Sequence, residues 1–264
     1  MGTKDTRDKT IKSTQTAFDI IDIIASRDRP STTEIATEVE YSRSTVHYHL
    51  KTLKQNRYVI QDDDGLRLGL RMARLGNLAL EQHGLRGVIE KPADNLSTEA
   101  NATAHVAVKE QNKLVWLYRS EDHELDEFVV DPGMETDIHC TAYGQAILAH
   151  IPSDTVDEIV GTYGLPAKTD QTLTTREEFD DRLSTIRKLG FAYSAEEHTT
   201  GVSSIAAPII DDQTDEVVGA IGISDRDDQI SNPYKHTKAR RFSDALPGLV
   251  QQAAQIAGDK VTNM

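Results

Sequence analysis

The sequence lacks most of the features that mark secreted, membrane-bound or cofactor-binding proteins. Its 264 residues include one cysteine, Cys140, which excludes an internal disulfide and a metal site built from several thiolates. No apolar run approaches membrane-spanning length, and residues 1–9 have no apolar signal core, so we expect them to form a short solvated arm. A glycine-rich phosphate loop and a dinucleotide fingerprint are also missing. These absences predict a cytoplasmic protein without a cofactor, a metal site or a membrane partner.

Basic residues are scarce too, but they are unevenly distributed. The chain has 29 Lys and Arg against 43 Asp and Glu, a net charge of −14, whereas residues 1–85 hold 13 against 12, which leaves −15 for residues 86–264. Nucleic-acid affinity comes largely from Lys and Arg that displace condensed counterions, so the first third of the chain is the part suited to DNA. The acidic excess elsewhere fits either a halophilic protein adapted to high intracellular salt or ordinary solubility charge.

Residues 31–60 have the pattern of two short helices, a turn and a strand, which is typical of a helix-turn-helix. The second helix can start at Ser42, whose hydroxyl can cap the first turn, and Val46, Leu50 and Leu53 then recur at helical spacing toward a core. The opposite face is polar and basic, as a DNA major groove requires, and includes Ser44, His47, Tyr48, Lys51 and Gln55. Every amphipathic helix has a polar side, so this face alone does not establish DNA contact.

The neighbouring segments supply the missing context. Residues 33–39 and 12–25 predict two more helices, with inward side chains from Ile35, Ala36, Val39, Ala17, Phe18, Ile21 and Ile24. Residues 58–60 and 66–68, joined by an Asp-Asp-Asp-Gly turn, predict the two-stranded wing of a winged helix. Three carboxylates at the wing tip would repel phosphate, so we expect the wing to contribute at most Arg67. The DNA-binding candidates are Arg43, Ser44, Thr45, His47, Tyr48, Lys51, Lys54, Arg57 and Arg67.

The chain therefore divides into a DNA-binding domain at residues 10–69, a linker at 70–85 and a larger domain at 86–264. The linker is rich in helix formers and carries Leu and Met on more than one side, which predicts a helix that associates with another copy. Because one winged helix reads only one half-site, a homodimer gains affinity and selectivity on a palindromic operator in double-stranded DNA.

The larger domain alternates between predicted strands and helices. Strands are expected at residues 104–108, 114–118, 128–130, 204–210 and 217–223, and helices at 88–100, 142–150, 153–161, 176–189 and 236–257. This order favours an α+β fold with an antiparallel sheet that holds a small ligand, and hence a two-domain α/β (α+β) protein.

Five segments carry a family resemblance by their order and spacing: residues 42–50, 66–69, 139–149, 186–192 and 196–209. Through them the chain resembles the IclR family of transcriptional regulators along nearly its whole length. The resemblance implies a winged helix-turn-helix, a linker helix and a C-terminal domain related to GAF and PAS sensors. It also implies a small effector, usually an organic or sugar acid, and a homodimer or a dimer of dimers.

The family's effector pocket, carried over residue by residue, consists of Ala142, Tyr143, Ser194, Ser204 and Ser224. Hydroxyls and the start of the helix at 142 would suit a carboxylate, because the first backbone N–H groups of a helix are unpaired. The alternative is that these residues only cap and pack. Tyr143 stands where many relatives carry a small residue, so it either narrows the pocket or stacks on the ligand.

The remaining reactive residues do not form a catalytic or metal site. Cys140 and His139 are adjacent in sequence and rarely meet as a dyad in that arrangement, and His47 and His49 lie on different helix faces. His198 lacks the second spaced histidine of a zinc helix. We therefore expect a ligand-responsive, sequence-specific transcription factor and not an enzyme. The alternative is an architectural DNA-binding protein whose C-terminal domain only oligomerises.

Overall fold

A computed structural model describes residues 10–39, 41–120, 128, 130–230, 232–233 and 245–263. The chain forms two compact units that divide between Gln82 and His83. The division lies within the predicted linker at residues 70–85. The predicted N-terminal arm, residues 1–9, lies outside the described residues.

The described part of the first unit begins with three helices and one hairpin, which precede the linker helix: α1 (Lys12–Ser26), α2 (Thr32–Glu38), α3 (Arg43–Gln55), β1 (Val59–Asp62) and β2 (Gly65–Leu68). The buried face of α1 consists of Thr16, Ile20 and Ile24, which are spaced by four residues. Phe18 was predicted to face inward, and this was wrong because Phe18 is 55% exposed. The inward stripe of α1 runs through Ile20, which places Phe18 on the solvent side.

Helix α3 begins after the predicted cap residue, Ser42, and its apolar side faces the core as predicted. The Ser42 hydroxyl accepts a hydrogen bond from the Thr45 N–H, which satisfies one of the open donors of the first turn. Val46, Leu50 and Leu53 are buried against α1 and α2. Three apolar residues at positions i, i+4 and i+7 therefore fix both the start of the helix and its orientation.

The hairpin is held against the loop between α1 and α2. The Leu66 N–H donates to the Pro30 carbonyl at 3.1 Å. Gly65 has a φ of +138°, and a Cβ at this position would lie 2.2 Å from the Arg29 carbonyl oxygen, so only glycine fits. Asp62 at the turn accepts hydrogen bonds from Arg29 Nη1 at 2.6 Å and Arg67 Nε at 3.1 Å. The wing tip is thus partly neutralised by the protein's own arginines.

The linker is helical, as predicted. Helix α4 (Arg71–His83) has no buried residue, and the exposed fractions of its Leu75 and Leu78 are 41% and 36%. Leu70, immediately before the helix, is 84% exposed. None of the described helices is long and apolar enough to cross a membrane.

The second unit is an antiparallel sheet with helices on both faces. Its elements, in chain order, are α5 (Arg86–Ala100), β3 (Thr103–Glu110), β4 (Lys113–Arg119), β5 (Glu135–Asp137), α6 (Ala142–Leu148), α7 (Ser153–Tyr163), α8 (Arg176–Leu189), β6 (Ala192–Ala195), β7 (Val202–Asp211), β8 (Glu216–Arg226) and α9 (Leu246–Thr262). The strand order is β5-β4-β3-β8-β7-β6. Helices α5 and α9 pack together on one face, and α6 lies on the other with α8 beside it.

Several predicted boundaries in this unit were wrong. Phe128 and Val130 are buried but belong to no strand, and Val129 lies outside the described residues. Their apolar character reflects packing in the core and not strand pairing. The strands β5 and β6 were not predicted, because Glu-Thr-Asp and Ala-Tyr-Ser-Ala have little β-branched or alternating content.

The ends of two predicted helices also differ. Helix α6 ends at Leu148 instead of residue 150, because the chain turns before Pro152. The predicted closing helix at 236–257 falls partly on residues outside the described set, and α9 continues to Thr262.

We expect Val46→Ala to lower the free energy of unfolding of the first unit by about 1–3 kcal/mol, because Val46 is fully buried and its truncation leaves a cavity. Chemical denaturation of the full chain, followed by circular dichroism, measures this loss. Tyr48→Ala on the opposite face is the control and should leave the unfolding midpoint unchanged. Equal losses in both variants would contradict the orientation of α3.

Candidate DNA-binding face and effector site

The predicted DNA-binding face of α3 is open to solvent. Arg43, Ser44, His47, Tyr48 and Lys51 are exposed, and the exposed fraction of Tyr48 is 68%. Arg43 and Lys51 have no ion-pair partner among the described residues. This face therefore presents two cations, a hydroxyl, an imidazole and a phenol from one side of one helix.

The other predicted DNA contacts are differently placed. Arg57 is exposed, whereas Thr45, Lys54 and Arg67 are half-buried. Lys54 Nζ donates to Gln61 Oε1 at 2.7 Å, and Arg67 Nε is bound to Asp62. These two bonds tie α3 to β1 and β2 to the wing turn, so Lys54 and Arg67 are the less available phosphate contacts.

The predicted effector residues meet on the sheet face below α6. The strand register sets Ser194 opposite Ser204, Ser204 opposite Ser224 and Ser224 opposite Thr103, a row across β6, β7, β8 and β3. All four residues are buried, and the Ser204 and Ser224 hydroxyl oxygens lie 2.8 Å apart. Four hydroxyl side chains therefore form one buried row that crosses four neighbouring strands of the sheet.

Tyr143 of α6 reaches down to this row. Its side chain is fully buried, and its hydroxyl lies 3.2 Å from Ser224 Oγ and 3.3 Å from His105 Nδ1. Ala142, at the start of the helix, is also fully buried. The helix has seven residues, and its Thr141 cap accepts the Gly144 N–H at 3.0 Å. The phenol ring, and not the helix end, is the group that faces the hydroxyl row.

His105 belongs to this site and was missed in the sequence. It is fully buried on β3, and its ring contacts Trp116, Phe128 and Tyr143 edge-on at centroid distances of 5.4, 5.5 and 6.0 Å. Its Nε2 has no hydrogen-bond partner among the described residues. Burial, helped by the charge of Arg119, lowers the pKa of His105 to about 3, so the ring is neutral at pH 7. The sequence signal that could have identified His105 is its position as a single histidine in an otherwise apolar strand.

A second buried cluster, also missed, holds the other side of α6. Arg182 Nη1 of α8 donates to Glu197 Oε1 at 2.7 Å and to Gln145 Oε1 at 3.1 Å. Gln145 Nε2 donates in turn to Glu197 Oε2 at 2.6 Å. Burial raises the pKa of Glu197, while Arg182 opposes that shift and stabilises the carboxylate. These partners are far apart in sequence, and no local pattern connects them.

Comparisons with known proteins agree with this geometry. Residues 13–63 match the model of the IclR helix-turn-helix domain, and residues 77–255 match the model described as bacterial transcriptional regulator IclR C-terminal. The second match alone covers more than half of the chain. The chain belongs to the IclR family of transcriptional regulators. It is a DNA-binding regulator whose second unit is a metabolite-binding domain, as the sequence predicts.

Individual relatives of this IclR-family regulator match over almost their whole length. The "Probable HTH-type transcriptional regulator ArcR" of Halobacterium salinarum is 28% identical over 93% of this chain and 92% of its own. The solved IclR of Thermotoga maritima has a TM-score of 0.76 at 23% identity and covers 96% of this chain and 100% of its own. An IclR homologue of Microbacterium hydrocarbonoxydans complexed with 4-hydroxybenzoate also has a TM-score of 0.76, at 18% identity and with the same coverage.

Cys140 and His139, which are adjacent in sequence, lie in surroundings that do not activate a thiol. Burial raises the pKa of the Cys140 thiol to about 12, which makes it a poor nucleophile, and the His139 Nε2 lies 3.1 Å from the Pro166 carbonyl. Within the described residues, no three His, Cys, Asp or Glu side chains are placed to hold a metal ion. The relatives named above are transcriptional regulators by description.

The low pKa of His105 predicts a loss of stability in acid. Because the folded pKa lies below the ordinary value of 6.5, the unfolded chain takes up a proton first as the pH falls. The contribution of His105 is thus fully present above pH 6.5 and is lost as the pH falls from about 6.5 toward about 3. His105→Phe should flatten the fall in unfolding free energy over this window, measured by denaturation at several pH values.

Tyr143→Phe is the matched control, since it removes the same hydrogen bond to His105 but leaves the imidazole in place. It should retain the steep acid dependence of the wild type. Parallel pH profiles for His105→Phe and the wild type would show that His105 titrates equally in the folded and unfolded chain.

Proposed function

We propose that this IclR-family regulator binds operator DNA as a homodimer through the exposed face of α3, and that a small organic acid bound between α6 and the sheet changes that binding. The observation that carries the proposal is the face of α3 itself. A cap at Ser42 and three buried apolar residues orient the helix, and its opposite side carries Arg43, His47, Tyr48 and Lys51 in solvent. A helix of this width and polarity fits the major groove.

The unpartnered leucines of the linker support the homodimer. Leu70, Leu75 and Leu78 are exposed, and α4 has no buried residue among its thirteen. Apolar side chains repeated along one exposed helix are more stable when a second copy covers them. A two-fold pair of linkers would set the distance between the two α3 helices, which is the distance between operator half-sites. A dimer of dimers would repeat the same arrangement.

The chemistry of the sheet face supports an effector with a planar ring and oxygen substituents. Trp116, Phe128 and Tyr143 supply aromatic edges, while Ser204, Ser224 and His105 Nε2 supply hydrogen-bonding groups. The homologue solved with 4-hydroxybenzoate shows that a fold of this type accepts a hydroxylated aromatic acid. Such a carboxylate is a member of the organic acids that the sequence predicts.

Tyr143 connects effector binding to the rest of the unit. Its ring occupies the space above the hydroxyl row, so an effector that binds there must turn the ring aside or stack against it. Both responses of the ring shift α6. This helix is hydrogen-bonded through Gln145 to Glu197, which follows β6, and to Arg182 of α8. An effector that binds one arrangement of these helices more tightly than another shifts their populations, and DNA affinity follows that shift.

Tyr48→Ala should weaken operator binding by about tenfold or more, on the scale of 1–3 kcal/mol for one lost base contact. An operator is first selected with the wild-type protein from a pool of random duplexes, and affinities are then measured by fluorescence anisotropy. Tyr163→Ala removes an exposed tyrosine of the second unit and should have no effect on affinity. Operator affinity that survives Tyr48→Ala would exclude Tyr48 from the DNA interface.

The effector is expected to appear in a melting screen against organic, sugar and aromatic acids. One compound should raise the melting temperature saturably, because a ligand that binds only the folded state stabilises it by mass action. Ser204→Ala should reduce the shift by removing a hydroxyl from the row, whereas Ser203→Ala, on the opposite sheet face, should keep it. A ligand whose effect is the same in all three proteins would bind elsewhere.

A further inference from the structure

A second basic surface lies in the first unit, at the point where the wing leads into the linker helix. It is a groove with a volume of about 630 Å³. Four arginines line it, Arg57, Arg67, Arg71 and Arg74, together with the exposed Leu70. We refer to these four residues as the arginine groove. Arg71 and Arg74 come from α4 and are not part of the helix-turn-helix.

The arginine groove is positively charged, although the protein as a whole is strongly acidic. The chain has 14 more acidic than basic residues, yet no carboxylate is among the residues that line the groove. Arg67 is paired with Asp62 at 3.1 Å, but Arg57 and Arg74 have no ion-pair partner among the described residues. Four guanidinium groups around one groove repel each other, and an anion placed between them relieves that repulsion.

Two contacts hold the groove in a defined shape. Arg71 Nη1 donates to the Asn56 carbonyl at 3.2 Å, and its guanidinium lies over the Tyr58 ring at 4.8 Å from the centroid. Both contacts fix the first turn of α4 against the end of α3. They leave the charge of Arg71 without a neutralising carboxylate.

The groove continues the surface already assigned to DNA. Arg57 follows the last residue of α3, Gln55, by two positions, and its positive φ of 62° turns the chain sharply there. Lys51 and Lys54 on α3 are therefore followed in the chain by a third cationic residue, Arg57, which lines the groove. The wing tip cannot provide this charge, because Asp62, Asp63 and Asp64 occupy it.

We propose that the arginine groove binds the phosphodiester backbone of duplex DNA next to the site of α3, so that the start of the linker helix is part of the DNA interface. Guanidinium groups match phosphate oxygens with paired hydrogen bonds, and such contacts position a protein on DNA without reading its sequence. The inference rests on the proposed binding of DNA through α3. It adds Arg71 and Arg74 to the interface and makes binding there independent of base sequence.

Arg74→Gln is the decisive variant, because the Arg74 side chain is exposed and makes no hydrogen bond or ion pair with another described residue. Its affinity for a mixed-sequence duplex and for the selected operator is measured over a range of salt concentrations. Both affinities should fall by about three- to tenfold near 0.1 M salt, and the slope of log affinity against log salt should become shallower by about 1. Arg57→Gln combined with Arg74→Gln should lower the slope further.

Two controls accompany this variant. Lys188→Gln removes one exposed positive charge from α8 in the second unit and should leave the slope unchanged. Arg74→Lys keeps the charge and should restore most of the salt dependence, which a purely structural role of Arg74 would not explain. Melting temperatures of all variants should equal that of the wild type.

An unchanged salt slope in Arg74→Gln would overturn the proposal. If the slope is unchanged and self-association measured by sedimentation is weaker, the groove binds an acidic surface of a second copy and not DNA. Tyr48→Ala separates this result from a failure of the proposed function. If Tyr48→Ala weakens operator binding and Arg74→Gln does not, α3 binds DNA and the arginine groove does not.

Discussion

The second unit depends on the close approach of backbone segments at two glycines. A Cβ on Gly144 of α6 would lie 1.8 Å from the Ile138 carbonyl oxygen, and one on Gly222 of β8 would lie 2.2 Å from the Ile205 carbonyl oxygen. Both positions therefore require glycine, because no real Cβ can approach an oxygen so closely. Gly144 thus lets α6 lie directly against the segment at Ile138, and Gly222 lets β8 lie directly against β7. On this frame the Tyr143 hydroxyl lies 3.2 Å from Ser224 Oγ.

The buried charge pair fixes the opposite side of the same helix. An unpaired carboxylate at Glu197 would be strongly unfavourable in the core, so Arg182 and Gln145 must stay where they can satisfy it. That requirement ties α8, α6 and the segment after β6 into one cluster. A shift of α6 would therefore strain its contacts with α8, because losing the hydrogen bonds of Gln145 and Arg182 would leave the buried carboxylate of Glu197 without partners.

The accuracy of the sequence-based predictions follows from the range of the interactions involved. Helix α3 was predicted because its cap and its apolar spacing are both encoded within thirteen residues. Strand β5 was missed because its three residues are polar and their partners on β4 lie 20 or more residues away, as in the hydrogen bonds from Trp116 Nε1 to Thr136 and from Lys113 Nζ to Asp137. His105 was missed because its partner Tyr143 is 38 residues away.

The predicted effector residues could be named only through the family resemblance. Ser194, Ser204 and Ser224 become neighbours through strand register, and no periodicity links three serines on three strands. Phe18 shows the opposite failure, since a large apolar residue on an amphipathic helix need not be on its buried face. Local patterns thus determined the elements, and side-chain partners far apart in sequence determined the site.

The unequal charge of the two units governs how this regulator approaches DNA. The first unit has a net charge of +1 and the second unit a net charge of −15. DNA, which is a polyanion, therefore repels the second unit strongly and the first unit hardly at all. This discrimination acts before any contact forms, over a distance of about 10 Å at 0.1 M salt. DNA repels the molecule when the acidic second unit faces it. The remaining collisions are therefore enriched in orientations in which the first unit faces the DNA. In concentrated salt this electrostatic preference is screened, and the rate of association then depends on random collisions of the first unit with DNA.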